Sequence, residues 1–300
     1  MSSLLRQIYR GVNAALAHTA VATGVNRWLR PATEKLWRVK ERTFAWPDVR
    51  FFIDHLPTTV DGGVGGNSDT GWLYQQGYFF ALIRNYLPEP SIRMLDFGCG
   101  SGKLAPVGML LSHPDGQYVG VEITASCIDV CRETHADLPR TTFHLARDYN
   151  ASYPESHGGK VGGYGADWPV ADGSRDLVIA VSVFTHLQKR EAEGYIRRIR
   201  EVLRPGGVAI LTFHLLDEPR REPIFGTDPG MKSFTFEHAL PEQSGYFTSF
   251  LDAPEGSIAL THAALAALVA EGFSTERVLR GTRFGGTDGF FQDVVVLRKQ

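Results

Sequence analysis

The densest chemistry in this sequence lies in Met94-Leu-Asp-Phe-Gly-Cys-Gly-Ser-Gly-Lys103, an apolar run that ends in an acid and a glycine cluster. Glycines at 98, 100 and 102 let backbone amides approach a ligand more closely than any side chain would permit. Glu122 stands a second strand further on. A carboxylate at such a strand end accepts hydrogen bonds from a ribose diol. A nicotinamide dehydrogenase is the rival reading, but its fingerprint needs two residues before the last glycine, and this chain has one. Asp96 would also repel a pyrophosphate. The acid suits a ligand that carries positive charge beside its ribose.

These residues need a scaffold of alternating strands and helices. Ile92–Phe97, Tyr118–Ile123, Thr141–Leu145, Leu177–Phe184 and Val208–Phe213 read as strands; Leu177–Phe184 is almost wholly apolar, as a strand buried on both faces should be. Helices are expected from about Lys103, over Ser126–Ala136, over Arg190–Leu203 (stopped by Pro205-Gly206-Gly207) and over Thr261–Glu271. Thr275–Leu279 and Gln292–Leu297 close the pattern. The alternation predicts an α/β, doubly wound, Rossmann-like sheet that is mostly parallel. Trp72 to Tyr86 reads as an aromatic-rich helix before Pro88, with Tyr74 placed to reach a ligand's polar end.

Four stretches together resemble the class I S-adenosylmethionine-dependent methyltransferase family over about residues 75–300. They are Leu95-Asp-Phe-Gly-Cys-Gly-Ser-Gly102, Val119-Gly-Val-Glu-Ile123, Asp176-Leu-Val-Ile-Ala-Val-Ser-Val-Phe-Thr-His-Leu187 and Val202-Leu-Arg-Pro-Gly-Gly207. S-adenosylmethionine carries the cationic ammonium and sulfonium that Asp96 calls for. The resemblance implies a seven-stranded sheet whose last strand, Gln292–Leu297, is antiparallel. It implies a methionine part over Asp96, Gly98, Cys99 and Gly100, and a ribose on Glu122 beside Ile123. It also implies an acid after strand three for the adenine amine, best matched by Asp148, with Tyr149 to stack on the ring. Ser182 and Val183 are expected near the sulfonium.

His186 follows them and faces the expected acceptor. An imidazole that titrates near neutral pH can take a proton from a hydroxyl as it attacks a methyl group. His214 is the second candidate base, and Asp217 or Glu218 the third; His144, inside a strand, is expected to be buried and satisfied. Strand four, Thr212-Phe-His-Leu-Leu-Asp217 and Gln292-Asp-Val-Val-Val-Leu-Arg-Lys299 resemble a bacterial methyltransferase subgroup associated with glycan and polysaccharide biosynthesis. That likeness implies O-methylation of a sugar or glycan hydroxyl. A small-molecule or lipid-linked hydroxyl or amine is the alternative acceptor. A cofactor-binding subunit without turnover is the alternative of another class. The aromatic-rich stretch 217–260 reads as a lid insertion, with the glycine-rich Asp61–Gly71 loop as a second closing element.

Composition sets the outer bounds. The chain has 300 residues, 43% hydrophobic and 21% charged, with three cysteines, the profile of a globular protein in a reducing compartment. Cys127 and Cys131 sit one helical turn apart without clustered partners, so no metal is expected. Net charge is −2, but residues 1–50 carry nine Lys/Arg against three Asp/Glu, leaving an acidic remainder that argues against nucleic acid as partner. Residues 1–60 read as a helical extension before a methyltransferase domain over 61–300. Within it Leu4, Leu5, Ile8, Tyr9, Val12 and Leu16 recur at helical spacing. That basic helix suits packing on its own domain, self-association or a peripheral membrane contact. An acid-free start also fits a mitochondrial presequence weakly; without a compact signal-peptide core, a cytoplasmic location is expected.

Overall fold

The computed structural model describes residues 69–300 apart from 90, 113–114, 152, 154–155, 157, 160, 218–233 and 283–288. The expectations for the basic N-terminal helix, for most of the Asp61–Gly71 loop and for Glu218 therefore lie outside the described residues. The last residues of that loop, Asp69 to Gly71, already belong to helix α1, Asp69–Tyr86.

A seven-stranded sheet forms the core. Its strands are β1 (Arg93–Phe97), β2 (Gln117–Glu122), β3 (Thr141–Leu145), β4 (Arg175–Ala180), β5 (Leu203–Phe213), β10 (Phe273–Leu279) and β11 (Asp293–Lys299). Their spatial order is β10-β11-β5-β4-β1-β2-β3. β1 to β5 pair in parallel, and β11 runs antiparallel to both of its neighbours. This is a doubly wound, Rossmann-like fold with the last strand reversed. β4 is buried along its whole length because helices cover both faces of a parallel sheet. β3 alternates between half-buried and exposed because it is the edge strand. His144 is for that reason half-exposed rather than buried, and its Nε2 lies 3.6 Å from Asp167.

Helices α2 (Ala105–Ser112), α3 (Ala125–Thr134), α4 (Lys189–Val202) and α5 (His262–Val269) connect the strands. α4 starts where the Glu191 carboxylate accepts the Gln188 N–H at 3.0 Å, half of a capping box. α5 starts where the Thr261 hydroxyl accepts the Ala264 N–H at 3.1 Å. Pro205-Gly206-Gly207 ends no element: β5 already begins at Leu203, and the register slips between Arg175 and Leu177 where the tripeptide passes. The strand expected to run to Phe184 stops at Ala180. Ser182 takes a left-handed φ of 59° there, and a short 3-10 turn, Phe184–His186, follows.

A second, four-stranded sheet in the order β6-β9-β8-β7 begins just before the stretch read as an insertion and ends just after it. Its strands are β6 (Leu215–Leu216), β7 (His238–Ala239), β8 (Tyr246–Thr248) and β9 (Ile258–Thr261). They span two to four residues, too few for hydrophobic periodicity to declare them. Among the described residues no helix is long and apolar enough to cross a membrane.

Candidate active site

The carboxyl ends of β1, β2, β4 and β5 open into a cavity of about 350 Å³. Ligands in open α/β sheets bind at such an edge, where the strand order reverses. The order reverses here between β1 and β4, so the cavity has one half at β1–β2–β3 and another at β4–β5–β11.

The glycine loop closes on β2. The amides of Gly98 and Cys99 donate to the Val121 carbonyl at 2.8 and 3.1 Å. Gly98 has φ +72°, and a Cβ there would fall 2.4 Å from Val183 Cγ2, so only glycine lets the loop pack this closely against the segment after β4. Glu122 is gripped by three amides: Gly100 donates to Oε2 at 3.0 Å, and Ile123 and Thr124 donate to Oε1 at 2.8 and 3.0 Å. A carboxylate has about four lone-pair sites, so one on Oε2 remains for a ligand hydroxyl. Asp96 is 2% exposed and accepts the Tyr118 hydroxyl at 2.7 Å. Burial pushes its pKa up to about 7, against the pull of that hydrogen bond. Lys103 also lines the cavity; burial brings its ammonium down to about 8, partly offset by Asp96. Its Nζ donates to Gln75 Oε1 at 3.2 Å and stands 5.4 Å from the Trp72 ring.

The second half is organised around His186. Its Nδ1 lies 2.7 Å from the Glu255 carbonyl, which can only accept, so the ring proton sits on Nδ1 and Nε2 keeps its lone pair. Burial lowers the imidazole pKa, with that hydrogen bond opposing. The ring is thus held neutral. Glu255 belongs to the insertion, which Gln243 also ties to α4 through Gln188 and the Lys189 amide. The insertion is therefore what orients His186.

Of the residues singled out from sequence, Asp96, Gly98, Cys99, Gly100, Glu122, Ile123, Ser182, Val183, His186 and His214 all line this one cavity. His214 is 3% exposed and packs on Phe234 and Phe236, with ring centroids 6.0 and 5.1 Å away. Four candidates stand elsewhere. Tyr74 is 51% exposed and donates to the Gly289 carbonyl. Asp148 points into the fold, where it accepts the Gly165 amide at 3.0 Å and the Tyr195 hydroxyl. Tyr149 does not line the cavity, whereas Asn150 and Tyr153 do. Asp217 lies 2.9 Å from His262 Nε2 and 3.5 Å from Arg280, outside the cavity.

Sequence reasoning missed Trp72, Gln75 and Phe79, which line the cavity from one face of α1. Their i, i+3, i+7 spacing was the available signal; Tyr74, two residues from Trp72, cannot share that face. Lys103 was quoted as the end of the glycine motif but given no role. Among the described residues no three ligand-type side chains gather to hold a metal ion. Cys127 and Cys131 are buried, and the Cys131 thiol donates to the Gly100 carbonyl at 3.1 Å.

Residues 95–209 match the family model described as a methyltransferase domain. An O-methyltransferase from Pyrenophora dematioidea is 29% identical over 142 residues, 47% of this chain and 46% of that protein. The match thus spans about half the length of that relative. A SAM dependent methyltransferase structure from Aquifex aeolicus aligns with a TM-score of 0.50 at 10% identity, over 78% of this chain and 94% of that one. An S-adenosylmethionine dependent methyltransferase from Mesorhizobium loti gives 0.50 at 16% identity, over 75% and 100%. These likenesses show the fold.

Proposed function

We propose that this chain is an S-adenosylmethionine-dependent methyltransferase that methylates a hydroxyl, with a sugar or glycan hydroxyl as the favoured acceptor. The observation that carries the reading is the bipartite cavity: an acid, bare glycines and a ribose-ready carboxylate on one side, a neutral oriented imidazole on the other. The residues fit the cofactor. Asp96 suits its ammonium and Lys103 its carboxylate, while Glu122 keeps a lone pair for a ribose hydroxyl. The cavity wall between them is formed by Gly98, Cys99 and Gly100, small residues that keep the backbone within reach of the ligand chain. Asn150 and Tyr153, which line the cavity where Asp148 and Tyr149 do not, are the residues this reading assigns to the adenine side.

When bound, S-adenosylmethionine supplies a methyl group on a positively charged sulfur. His186 Nε2 accepts the proton of the acceptor hydroxyl as the oxygen attacks. Holding the two halves in line supplies much of the rate by orientation alone. The Pyrenophora relative supports oxygen as the methylated atom. The sugar rests on the likeness of strand four and the chain's end to glycan-associated methyltransferases.

Transfer of labelled methyl groups to an acceptor panel tests the reading. His186→Ala should lower kcat by about a hundredfold or more, within the usual range for general-base catalysis, with S-adenosylhomocysteine affinity unchanged. Equal losses of both would make His186 structural.

A further inference from the structure

The charged residues that line the cavity, Asp96, Lys103 and Glu122, all belong to the β1–β2 half. Among the described residues, the β4–β5–β11 half offers no carboxylate, lysine or arginine. It offers hydroxyls and amides instead. Thr185 and Ser257 line it, though their hydroxyl oxygens are covered by protein and have no hydrogen-bond partner among the described residues.

Gln292 is the most closely held of these groups. It is 4% exposed and lines the cavity just before β11. Its Oε1 accepts the Thr212 hydroxyl at 2.7 Å and the Ser182 hydroxyl at 3.0 Å. Thr212 Oγ1 already accepts the Ser182 amide at 2.7 Å, so its own proton goes to Gln292 and fixes the carboxamide's orientation. The Gln292 NH2, two donors, has no partner among the described residues. Next to it, the fully buried Asp293 carboxylate accepts the Leu215 and Gly281 amides at 2.8 and 2.9 Å and pins the strand's start. Ser182 is held at φ 59°, a conformation that costs a non-glycine residue energy and that the network maintains.

We infer that this half of the cavity takes an uncharged acceptor with a second oxygen beside the reacting hydroxyl, and that the Gln292 carboxamide donates to that second oxygen. The inference rests on the methyltransferase reading and narrows its substrate class. A neutral vicinal diol presents one oxygen to His186 Nε2 and the other to Gln292. A carboxylate or phosphate would enter without a counter-charge, and burying such a group unpaired is strongly unfavourable.

The test is labelled methyl transfer by the full chain to matched acceptor pairs. Methyl β-D-glucopyranoside and catechol are the neutral diols; methyl β-D-glucopyranosiduronic acid and 3,4-dihydroxybenzoate are their carboxylated counterparts. The neutral member of a pair should be labelled with kcat/KM on the order of a hundredfold higher, the discrimination expected of a site lacking a counter-charge. Gln292→Met and Gln292→Glu should each lower kcat/KM for the neutral acceptor about tenfold or more, as for a lost oriented donor. S-adenosylhomocysteine affinity should stay unchanged in both. Equal or faster use of the carboxylated acceptors would overturn the inference, as would unchanged kcat/KM in a folded Gln292 variant. So would no labelling of either class by wild-type protein that binds S-adenosylhomocysteine. Failure to bind S-adenosylhomocysteine would overturn the methyltransferase reading itself. If a Gln292 variant does not fold, the charge comparison on wild-type protein still decides.

Discussion

Asp96 should make cofactor affinity depend on pH in a range where ordinary carboxylates are silent. Burial raises its pKa to about 7, and only the ionised form attracts a ligand ammonium. The ionised fraction is then about nine-tenths at about pH 8 and about one-tenth at about pH 6, so S-adenosylhomocysteine should bind roughly tenfold more weakly at the lower pH. Tyr118→Phe removes the hydroxyl that stabilises the carboxylate at 2.7 Å. A hydrogen bond to a charged group is worth about 1.5–3 kcal/mol, which raises the apparent pKa by about one to two units. At about pH 7.5 the ionised fraction then drops from about three-quarters to about a quarter or less. Lys103, held near 8, adds a second limb: its charge is lost above that pH, and affinity for a carboxylate-bearing ligand falls again. The assay is calorimetric titration of S-adenosylhomocysteine from about pH 6 to 9 on wild type, Asp96→Asn, Tyr118→Phe and Lys103→Met. Asp96→Asn should flatten the acid limb, Lys103→Met the alkaline limb, and Tyr118→Phe should move the acid limb upward. An acid limb that persists in Asp96→Asn would refute the assignment.

Other expectations follow from single contacts. Gly98→Ala should destabilise the fold by about 2–4 kcal/mol, combining a left-handed φ with overpacking against Val183, read by urea unfolding. A loss near zero would mean that the loop has room. His186→Ala separates kcat from binding, as above. In wild type the acid limb of kcat should lie below the ordinary imidazole value of 6.5, because burial favours the neutral ring; a limb above that value would contradict the neutral-base geometry. Burial alone would raise the Asp176 pKa, but Arg93 and Arg204 hydrogen bonds hold it at about 2. A depressed folded-state pKa contributes stability that is complete above about pH 4 and is lost as pH falls toward about 2. Asp176→Asn should remove about 1–2 kcal/mol after solvent screening and flatten stability across that window, measured by unfolding at about pH 3 and 7. Unchanged acid sensitivity would assign it to other carboxylates.

The division between sequence and structure follows how local each determinant is. Asp96, the glycines and Glu122 were legible because each sits within a few residues of a strand end, and strand, turn and helix write their own periods into the chain. The alternation likewise sufficed for the doubly wound, mostly parallel sheet, while its reversed last strand was expected only from the family resemblance. Asp148 and Tyr149, expected beside the ligand, do not line the cavity, because the segment after β3 carries no hydrophobic period and nothing local says which side chains face inward. Two further choices belonged to the tertiary structure alone. Sheet order sets β11 against β5, which brings Gln292 to Ser182 across 110 residues of chain. The insertion's short strands carry the Glu255 carbonyl to His186, 69 residues away. The glycine-loop half of the cavity was therefore readable from local pattern, because a strand end and its loop build it. The uncharged, hydrogen-bonding character of the β4–β5–β11 half was not, because it exists only where distant segments pack together.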